Sequence, residues 1–229
     1  EPTMSQGLIP ATILTGFLGS GKTTLLKRVL SESHGRKIAV IENEFGEENI
    51  DNEILVDDAG KEQILQLSNG CVCCTIREDL RSTLATLAEK RRKGELDFER
   101  VVIETTGLAD PGPVAQTFFM DDEIAESYLL DSILTLVDAK HADSQLDTRQ
   151  EARRQVGFAD QIFISKTDLV DDATVDALIH RIKHMNPRAP QRKVHFGDVP
   201  ISEVFDLRGF NLNAKLDIDP DFLKAEEEH

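Results

Sequence analysis

The chain has 229 residues and a formal net charge of −16, from 26 basic and 42 acidic side chains. This length can bury a full hydrophobic core, and the acidic balance argues against nucleic acid or an anionic membrane as a main partner. Because no apolar run approaches the ~20 residues of a membrane-spanning helix, and because the three cysteines are clustered rather than arranged as a disulfide framework, we expect a cytoplasmic protein.

The first predicted elements are a short strand, a glycine-rich turn and a helix. An apolar, β-branched run occupies residues 11–15, and residues 16–24 read GFLGSGKTT, which fits G-x-x-x-x-G-K-[ST]. Apolar residues at helical spacing follow over residues 25–30. Strand, turn and helix in this order are the context in which the motif binds a nucleoside triphosphate.

The residue types in this loop suit phosphate binding. Gly16, Gly19 and Gly21 let the backbone curl so that successive N–H groups face phosphate oxygens, and the helix adds the positive end of its dipole. We expect Lys22 to reach the β- and γ-phosphates and the Thr23 hydroxyl to hold Mg²⁺. The other loop residues in the predicted nucleotide-binding set are Ser20 and Thr24.

Farther along the chain, strand and helix patterns alternate. Apolar runs predict strands at residues 36–43, 99–103, 132–137, 161–164 and 193–196, and amphipathic patterns predict helices at 75–92 and 173–185. An acidic passage over residues 44–69 is predicted as a long functional loop, and helical pieces lead to about residue 130. The alternation favours an α/β fold, a doubly wound, mostly parallel sheet that binds ligands at the carboxyl ends of its strands. We expect this domain over residues 1–210 and an acidic linker or tail over 211–229.

Two further motifs follow later strands. Residues 101–107 read VVIETTG, so that an acid ends the strand and a glycine lies three positions beyond it. We expect Glu104 to reach Mg²⁺ through water or to orient the attacking water, and the N–H of Gly107 to approach a γ-phosphate.

Residues 165–168 read SKTD, similar to the guanine-reading [NST]-K-x-D. The Asp168 carboxylate can accept two hydrogen bonds from guanine, and the stem of Lys166 can pack along the base.

The cysteines form the most distinctive cluster after the phosphate loop. Cys71, Cys73 and Cys74 fall at a predicted loop-to-helix junction, where a helix N-terminus lowers the pKa of a thiol. Thiolates suit Zn²⁺ and similar borderline metals, but three of them leave a tetrahedral site incomplete. Glu42 and Glu47 are candidate oxygen ligands. Buried structural cysteines and a redox switch remain alternatives.

Elsewhere, His180 and His184 have the i, i+4 spacing that can chelate a metal, although a solvated helix face is the simpler interpretation.

With these motifs assembled, the chain resembles the CobW family of P-loop GTPases, relatives of the urease and hydrogenase nickel-inserting GTPases. The motifs that carry the resemblance lie at residues 16–24, 42–46, 70–74, 104–107 and 165–168. The resemblance implies a SIMIBI-type GTPase domain that uses GTP/GDP and Mg²⁺, binds a transition metal of the zinc or cobalt class, and delivers it to a client metalloprotein. It also implies a homodimer as one oligomeric state. Family members usually carry a smaller C-terminal domain, which we expect to be absent here.

The resulting hypothesis is a GTP-hydrolysing metallochaperone domain in which Lys22 and Glu104 act in catalysis and the C-x-C-C motif binds the metal. No glutamine or arginine finger is evident in the sequence, so slow intrinsic turnover is expected. Two alternatives stay open. One is a metal buffer or sensor in which GTP is an effector with negligible turnover, and the other is a nucleotide-dependent small-molecule kinase. Single-turnover hydrolysis with and without metal separates the first hypothesis from the buffer or sensor.

Overall fold

The computed structural model describes residues 7–17, 19–42, 52–58, 62–76, 79–105, 110–195 and 199–205, with the backbone alone at 52–58, 62 and 63. The strands are β1 (Ile9–Gly16), β2 (Ile38–Glu42), β3 (Asn52–Asp58), β4 (Glu62–Leu67), β5 (Val72–Thr75), β6 (Arg100–Glu104), β7 (Tyr128–Asp138), β8 (Gln161–Ser165) and β9 (Gln191–Lys193). The helices are α1 (Lys22–Ser31), α2 (Leu80–Arg92), α3 (Pro111–Met120), α4 (Asp122–Ser127), α5 (Ala142–Thr148), α6 (Gln150–Phe158), α7 (Asp172–Met185) and α8 (Ile201–Phe205).

The described strands form one sheet in the order β3-β4-β5-β2-β6-β1-β7-β8-β9. From β5 to β9 every neighbouring pair is parallel. At the other edge β3 and β4 form an antiparallel pair, and β4 joins the sheet antiparallel to β5. The predicted mostly parallel sheet is confirmed. Because the carboxyl ends of parallel strands lie at one edge, β1, β2, β6, β7 and β8 all deliver their last residues to the same side of the molecule.

Helices cover both faces of the sheet, which makes the fold doubly wound. Apolar residues of α2, α3 and α4 pack on one face in a cluster with alternate residues of the central strands. The opposite face is covered by α1 and α8, and a third cluster joins α5, α6 and α7 to β7 and β8. Each large aliphatic side chain buried in these clusters contributes roughly 1.5–3 kcal/mol of transfer free energy. None of the helices in the described part of the chain combines the length and the hydropathy needed to cross a bilayer.

Aspartate side chains define where several helices begin. Asp79 accepts a hydrogen bond from the Ser82 N–H at the start of α2, and Asp171 accepts one from the Thr174 N–H at the start of α7. Such caps satisfy backbone donors that lack helical partners. The helix predicted at 75–92 therefore starts later than expected, at Leu80, because residues 72–75 pair with β2 as a strand.

Other element boundaries also differ from the predictions. The passage 44–69 is not one long loop, because it contains β3 and β4. The strand predicted at 132–137 is longer and begins at Tyr128. Of the strand predicted at 193–196, residue 193 ends β9, and residues 194 and 195 lie beyond that strand. The predicted tail at 211–229 lies outside the described residues, so the proposed division at residue 210 stays a prediction.

Candidate nucleotide and metal site

The glycine-rich loop connects β1 to α1 against the end of β7. A Cβ atom on Gly16 would lie 2.4 Å from the Leu136 backbone oxygen, so the close approach of the two backbones requires glycine at this position. Gly21 has φ 106° and precedes the first turn of α1. The Phe17 N–H donates to the Leu136 oxygen at 3.2 Å, and the Ser20 N–H donates to the Phe17 oxygen at 3.2 Å. These contacts form the curled turn that the sequence motif predicts.

Lys22 joins this loop to the end of β6. Its Nζ donates to the Thr105 carbonyl oxygen at 3.0 Å and lies 3.6 Å from Glu104 Oε1. Burial lowers the pKa of Lys22, and the same cause raises the pKa of Glu104, while the attraction between the two charges offsets part of each shift. The ammonium therefore lies where a phosphate charge can compete with Glu104 for it.

Glu42 extends this charged group to the neighbouring strand. Ile41 of β2 is the register partner of Ile103 of β6, so Glu42 and Glu104 end adjacent parallel strands. Burial raises the pKa of Glu42 to about 7, and the negative charge of Glu104 adds to the shift. Two half-buried carboxylates beside one buried ammonium favour binding of a further cation.

A second part of the site follows β8. A cavity of about 300 Å³ is lined by Ser20, Gly21, Thr24, Ser165, Lys166, Asp168, Leu169, Val194 and His195. The Ser165 hydroxyl donates to the Ser20 carbonyl oxygen at 2.7 Å, which ties the SKTD segment to the phosphate loop. Lys166 has φ 58°. Among the residues that the structure describes, it is the one non-glycine residue with a positive φ. Such backbone conformations cost about 1–3 kcal/mol and cluster at functional sites.

The buried side chain of Asp138 holds Lys166 in place. Asp138 Oδ2 accepts hydrogen bonds from Lys166 Nζ at 3.0 Å and from His141 Nδ1 at 2.8 Å, and Oδ1 accepts one from the Lys140 N–H at 2.8 Å. Burial acts to raise the pKa of Asp138, but these hydrogen bonds together hold it below its usual value. The carboxylate is thus ionised, and it ties the turn after β7 to Lys166, the first residue after β8.

The three cysteines are buried, and they do not share one side of the sheet. Successive side chains of a strand point to opposite faces. Cys73 accordingly lies in the cluster covered by α1, with Cys71, whereas Cys74 lies in the cluster covered by α2. Among the described residues, no group of three or more His, Cys, Asp or Glu side chains is arranged to hold a metal ion. The predicted set of three converging thiols is therefore not assembled in this conformation.

The thiols are also less acidic than the sequence suggested. A helix N-terminus was expected to lower their pKa, and this is wrong because they lie in or next to β5, ahead of the Asp79 cap of α2. Burial raises the pKa of Cys73, to which the charge of Glu42 and the Cys74 thiol add. Burial also raises the pKa of Cys71, whose Sγ donates to the Arg36 carbonyl oxygen at 3.3 Å.

The remaining predicted site residues fall into two groups. Thr23 and Thr24 are exposed in the first turn of α1, next to Lys22, and a hydroxyl oxygen there is a hard donor of the kind Mg²⁺ binds. Glu47 and Gly107 lie outside the described residues. The structure thus brings together the phosphate loop, Lys22, Glu104 and Glu42 at one edge of the sheet, with the Lys166 and Asp168 cavity beside them.

Sequence reasoning missed Asp138, His141 and His195 as parts of the site. Asp138 directly follows the strand predicted at 132–137 and was not selected, since a single acid at a strand end matches no motif. The available signal was positional, because Asp138 ends a strand next to β1 and so reaches the edge at which ligands bind. His195 was placed inside a strand that in fact ends at Lys193.

Comparisons with known proteins find relatives of this chain. The profile of the CobW/HypB/UreG nucleotide-binding domain matches residues 10–193. The zinc chaperone YjiA of Escherichia coli is 48% identical over 208 residues, which are 91% of this chain and 64% of that protein. The zinc-regulated GTPase metalloprotein activator 1 of Schizosaccharomyces pombe is 38% identical and matches 88% of this chain and 50% of its own length. This chain therefore spans less than two thirds of either relative.

Solved structures with a similar fold include one of these relatives. The crystal structure of Zn(II)-bound YjiA GTPase from E. coli matches with a TM-score of 0.80 and 47% identity, over 89% of this chain and 63% of that one. HypB from Helicobacter pylori in complex with nickel matches with a TM-score of 0.51 at 15% identity, over 98% of this chain and 93% of that one, which indicates a shared fold only.

Proposed function

This chain belongs to the CobW/HypB/UreG family, and from that membership we propose that it is the GTP-binding and GTP-hydrolysing domain of a zinc chaperone. It binds Mg²⁺ with GTP or GDP, takes up Zn²⁺ or a similar ion such as Co²⁺, and passes the ion to a client metalloprotein. Homodimer formation belongs to the same proposal. The YjiA and metalloprotein activator names support the zinc and GTPase parts of this proposal.

One observation supports the coupling of nucleotide to metal more than any other. Lys22, a phosphate-binding residue, lies 3.6 Å from Glu104. Burial raises the pKa of Glu42 and the charge of Glu104 adds to the shift; burial likewise raises the pKa of Cys73 and the charge of Glu42 adds to it. A continuous electrostatic path therefore runs from the phosphate loop to a carboxylate and a thiol that suit a borderline divalent metal.

In the nucleotide half of the site, this chain's residues position charge rather than form covalent bonds. Lys22 neutralises charge on the transferred phosphoryl group, and Thr23 and Glu104 hold the Mg²⁺ shell, directly or through water. Lys166 packs along the guanine base while Asp168 accepts hydrogen bonds from its edge. Gly107 and the loop glycines supply backbone N–H donors to the phosphates.

In the metal half, Glu42 and Cys73 form the core of the proposed site, and Cys71, Cys74 and Glu47 are the other candidate ligands. Zinc binds thiolates, so uptake must release the proton that burial keeps on Cys73. Cys74 can join only if β5 twists or its end moves, because its side chain lies on the other face of the sheet. A site that must rearrange to bind suits transfer better than permanent storage.

The experiment is a Zn²⁺ and Co²⁺ titration in the presence of Mg²⁺ with a non-hydrolysable GTP analogue or with GDP. Wild type is compared with Cys73→Ser and Glu42→Gln, and Glu123→Gln serves as a matched control because Glu123 is an exposed acid on α4. We expect affinities that differ between the two nucleotides and that fall in both site variants but not in the control.

Two results would contradict the proposal. Equal metal affinities with both nucleotides would mean that the two halves are uncoupled, and metal binding unaffected by Cys73→Ser would remove the thiol from the site. Single-turnover GTP hydrolysis, measured in parallel, tests the remaining alternative of a metal buffer or sensor, in which hydrolysis is negligible with and without metal.

A further inference from the structure

Helix α7 carries two exposed histidines one turn apart, His180 and His184. Their Nε2 atoms are 3.1 Å apart. The ring centroids are 4.6 Å apart and the ring planes meet at 83°. The two side chains therefore converge on one point in solvent instead of extending separately, as two solvated histidines on a helix face would.

The 3.1 Å contact between the two Nε2 atoms needs a proton or a cation between them. With a proton it is an N–H···N hydrogen bond whose donor depends on the tautomers of the two rings, and with both nitrogens unprotonated the two lone pairs can bind one cation. A transition-metal ion bonded to both nitrogens at about 2.0–2.1 Å, the usual Zn–N distance, would subtend an angle of about 100°. That angle lies between the values for square-planar and tetrahedral coordination, so the spacing fits a bidentate metal ligand without rearrangement.

The charges around the pair also favour a cation. His184 lies in the last turn of α7, where the helix dipole places partial negative charge. Arg181, between the two histidines in sequence, is already paired with Asp143 at 3.2 Å and Asp147 at 2.7 Å. Arg181 is thereby neutralised, whereas Lys183, which also lies between the two histidines in sequence, is exposed. The chain as a whole carries a net charge of −16.

We infer that His180 and His184 form an open binding site for a divalent transition-metal ion of the imidazole-preferring class, such as Ni²⁺, Cu²⁺ or Zn²⁺. In the described part of the chain no third His, Cys, Asp or Glu completes the site. The ion's other positions are therefore open to water or to a donor from another molecule. With only two exposed ligands, the ion exchanges readily.

This site is separate from the one proposed around Cys73. The third cluster packs α7 against β8, and β8 lies five places from β5 in the sheet order. At about 4.8 Å between neighbouring strands, that separation is roughly 24 Å. The histidine site needs neither nucleotide nor thiol, so its test is independent of the proposed function.

The test is a calorimetric titration of the full chain with Ni²⁺ alone, without nucleotide. Variants His180→Gln and His184→Gln each leave one imidazole, and losing the chelate is expected to weaken Ni²⁺ binding at this site at least tenfold. The double variant is expected to lose it. Two matched variants should keep it: Lys183→Gln, an exposed change in the same turn, and Cys73→Ser, which removes a thiol from the other site.

A stability measurement accompanies the titration. Ni²⁺ bridging one turn of α7 is expected to raise the melting temperature of the wild type and of Lys183→Gln, but not that of the double histidine variant. Glutamine has at least the helix propensity of histidine, so the variants should keep the far-ultraviolet circular dichroism of the wild type. Unchanged Ni²⁺ affinity in the double variant would overturn the inference and leave a proton-sharing histidine pair.

Discussion

Replacing Asp138 by Asn tests whether a buried carboxylate positions the loop that we propose reads guanine. The Asn oxygen can still accept the Lys140 N–H bond, but its NH₂ group then faces the two donors Lys166 Nζ and His141 Nδ1. The variant thus loses one ion pair and places donors against donors at almost unchanged side-chain volume. Any loss of nucleotide affinity then reflects the position of Lys166 rather than a cavity.

The magnitude follows from the hydrogen bonds that are lost. A hydrogen bond to a charged group contributes about 1.5–3 kcal/mol, but Lys166 and His141 are 36% and 54% exposed and can turn to water. We therefore expect a net loss of about 2 kcal/mol in the free energy of unfolding. The Lys166 backbone, at φ 58°, also loses the contact that holds its side chain, and we expect the affinity for guanine nucleotide to fall roughly tenfold, about 1.4 kcal/mol.

The assay is equilibrium titration with a fluorescent GDP, together with urea unfolding at two pH values. Burial acts to raise the pKa of Asp138, but the hydrogen bonds outweigh it and hold the pKa below its usual value. The stabilising contribution of Asp138 is therefore complete above that usual value and is lost as pH falls through the folded-state pKa. The stability difference between wild type and variant should therefore be present at pH 7 and shrink below about pH 4. Asp143→Asn, a change at an exposed acid of α5, is the control. Wild-type GDP affinity in Asp138→Asn would refute the positioning role.

Three other predictions concern the same edge of the sheet. Gly16→Ala should lower the urea midpoint by the equivalent of roughly 2 kcal/mol or more, because the new Cβ would lie 2.4 Å from the Leu136 backbone oxygen. Gly157→Ala is the control: its Cβ would meet no atom within 4 Å, so this change should stabilise α6. Lys22→Ala should slow single-turnover GTP hydrolysis roughly hundredfold or more, and a wild-type rate would exclude its catalytic role. Asp168→Asn should shift the preference from GTP to xanthosine triphosphate in a competition assay. The reason is that the Asn amide N–H can donate to the carbonyl that replaces guanine's amino group in xanthine. Retained GTP preference would argue against base reading by this residue.

The phosphate loop and most of the parallel strands could be predicted because local sequence determines them. Residues 16–24 form a contiguous motif, and fully buried strands are recognisable as short apolar runs. The β3–β4 pair was missed because its residues are rich in acids and its strand state depends on antiparallel pairing with β5. Such pairing is a tertiary effect, and strand propensity is a weak guide to it.

The cysteine arrangement was missed for a related reason. In a loop, which the sequence predicted, the side chains of Cys73 and Cys74 can both turn toward one metal ion. In the strand β5 they are neighbours, so their side chains must lie on opposite faces of the sheet. The wrong start of α2 and the wrong direction of the thiol pKa shift therefore have one cause, which is that residues 72–75 form a strand. The contact of Asp138 with Lys166 could not be predicted from sequence, because the two residues lie 28 positions apart and meet only through parallel pairing of β7 with β8.

The contact between Lys22 and Glu104 determines the sign expected for the proposed coupling. A γ-phosphate competes with Glu104 for the Lys22 ammonium. When Lys22 turns to the phosphate, Glu104 loses the cation that offsets its charge. Because the negative charge of Glu104 acts on Glu42, a divalent ion beside Glu42 then becomes more favourable. Metal should therefore bind more tightly with the GTP analogue than with GDP, and by reciprocity the metal should tighten GTP binding by the same factor. Loss of the γ-phosphate returns Lys22 to Glu104 and weakens the metal site, which is the order of events that delivery to a client requires.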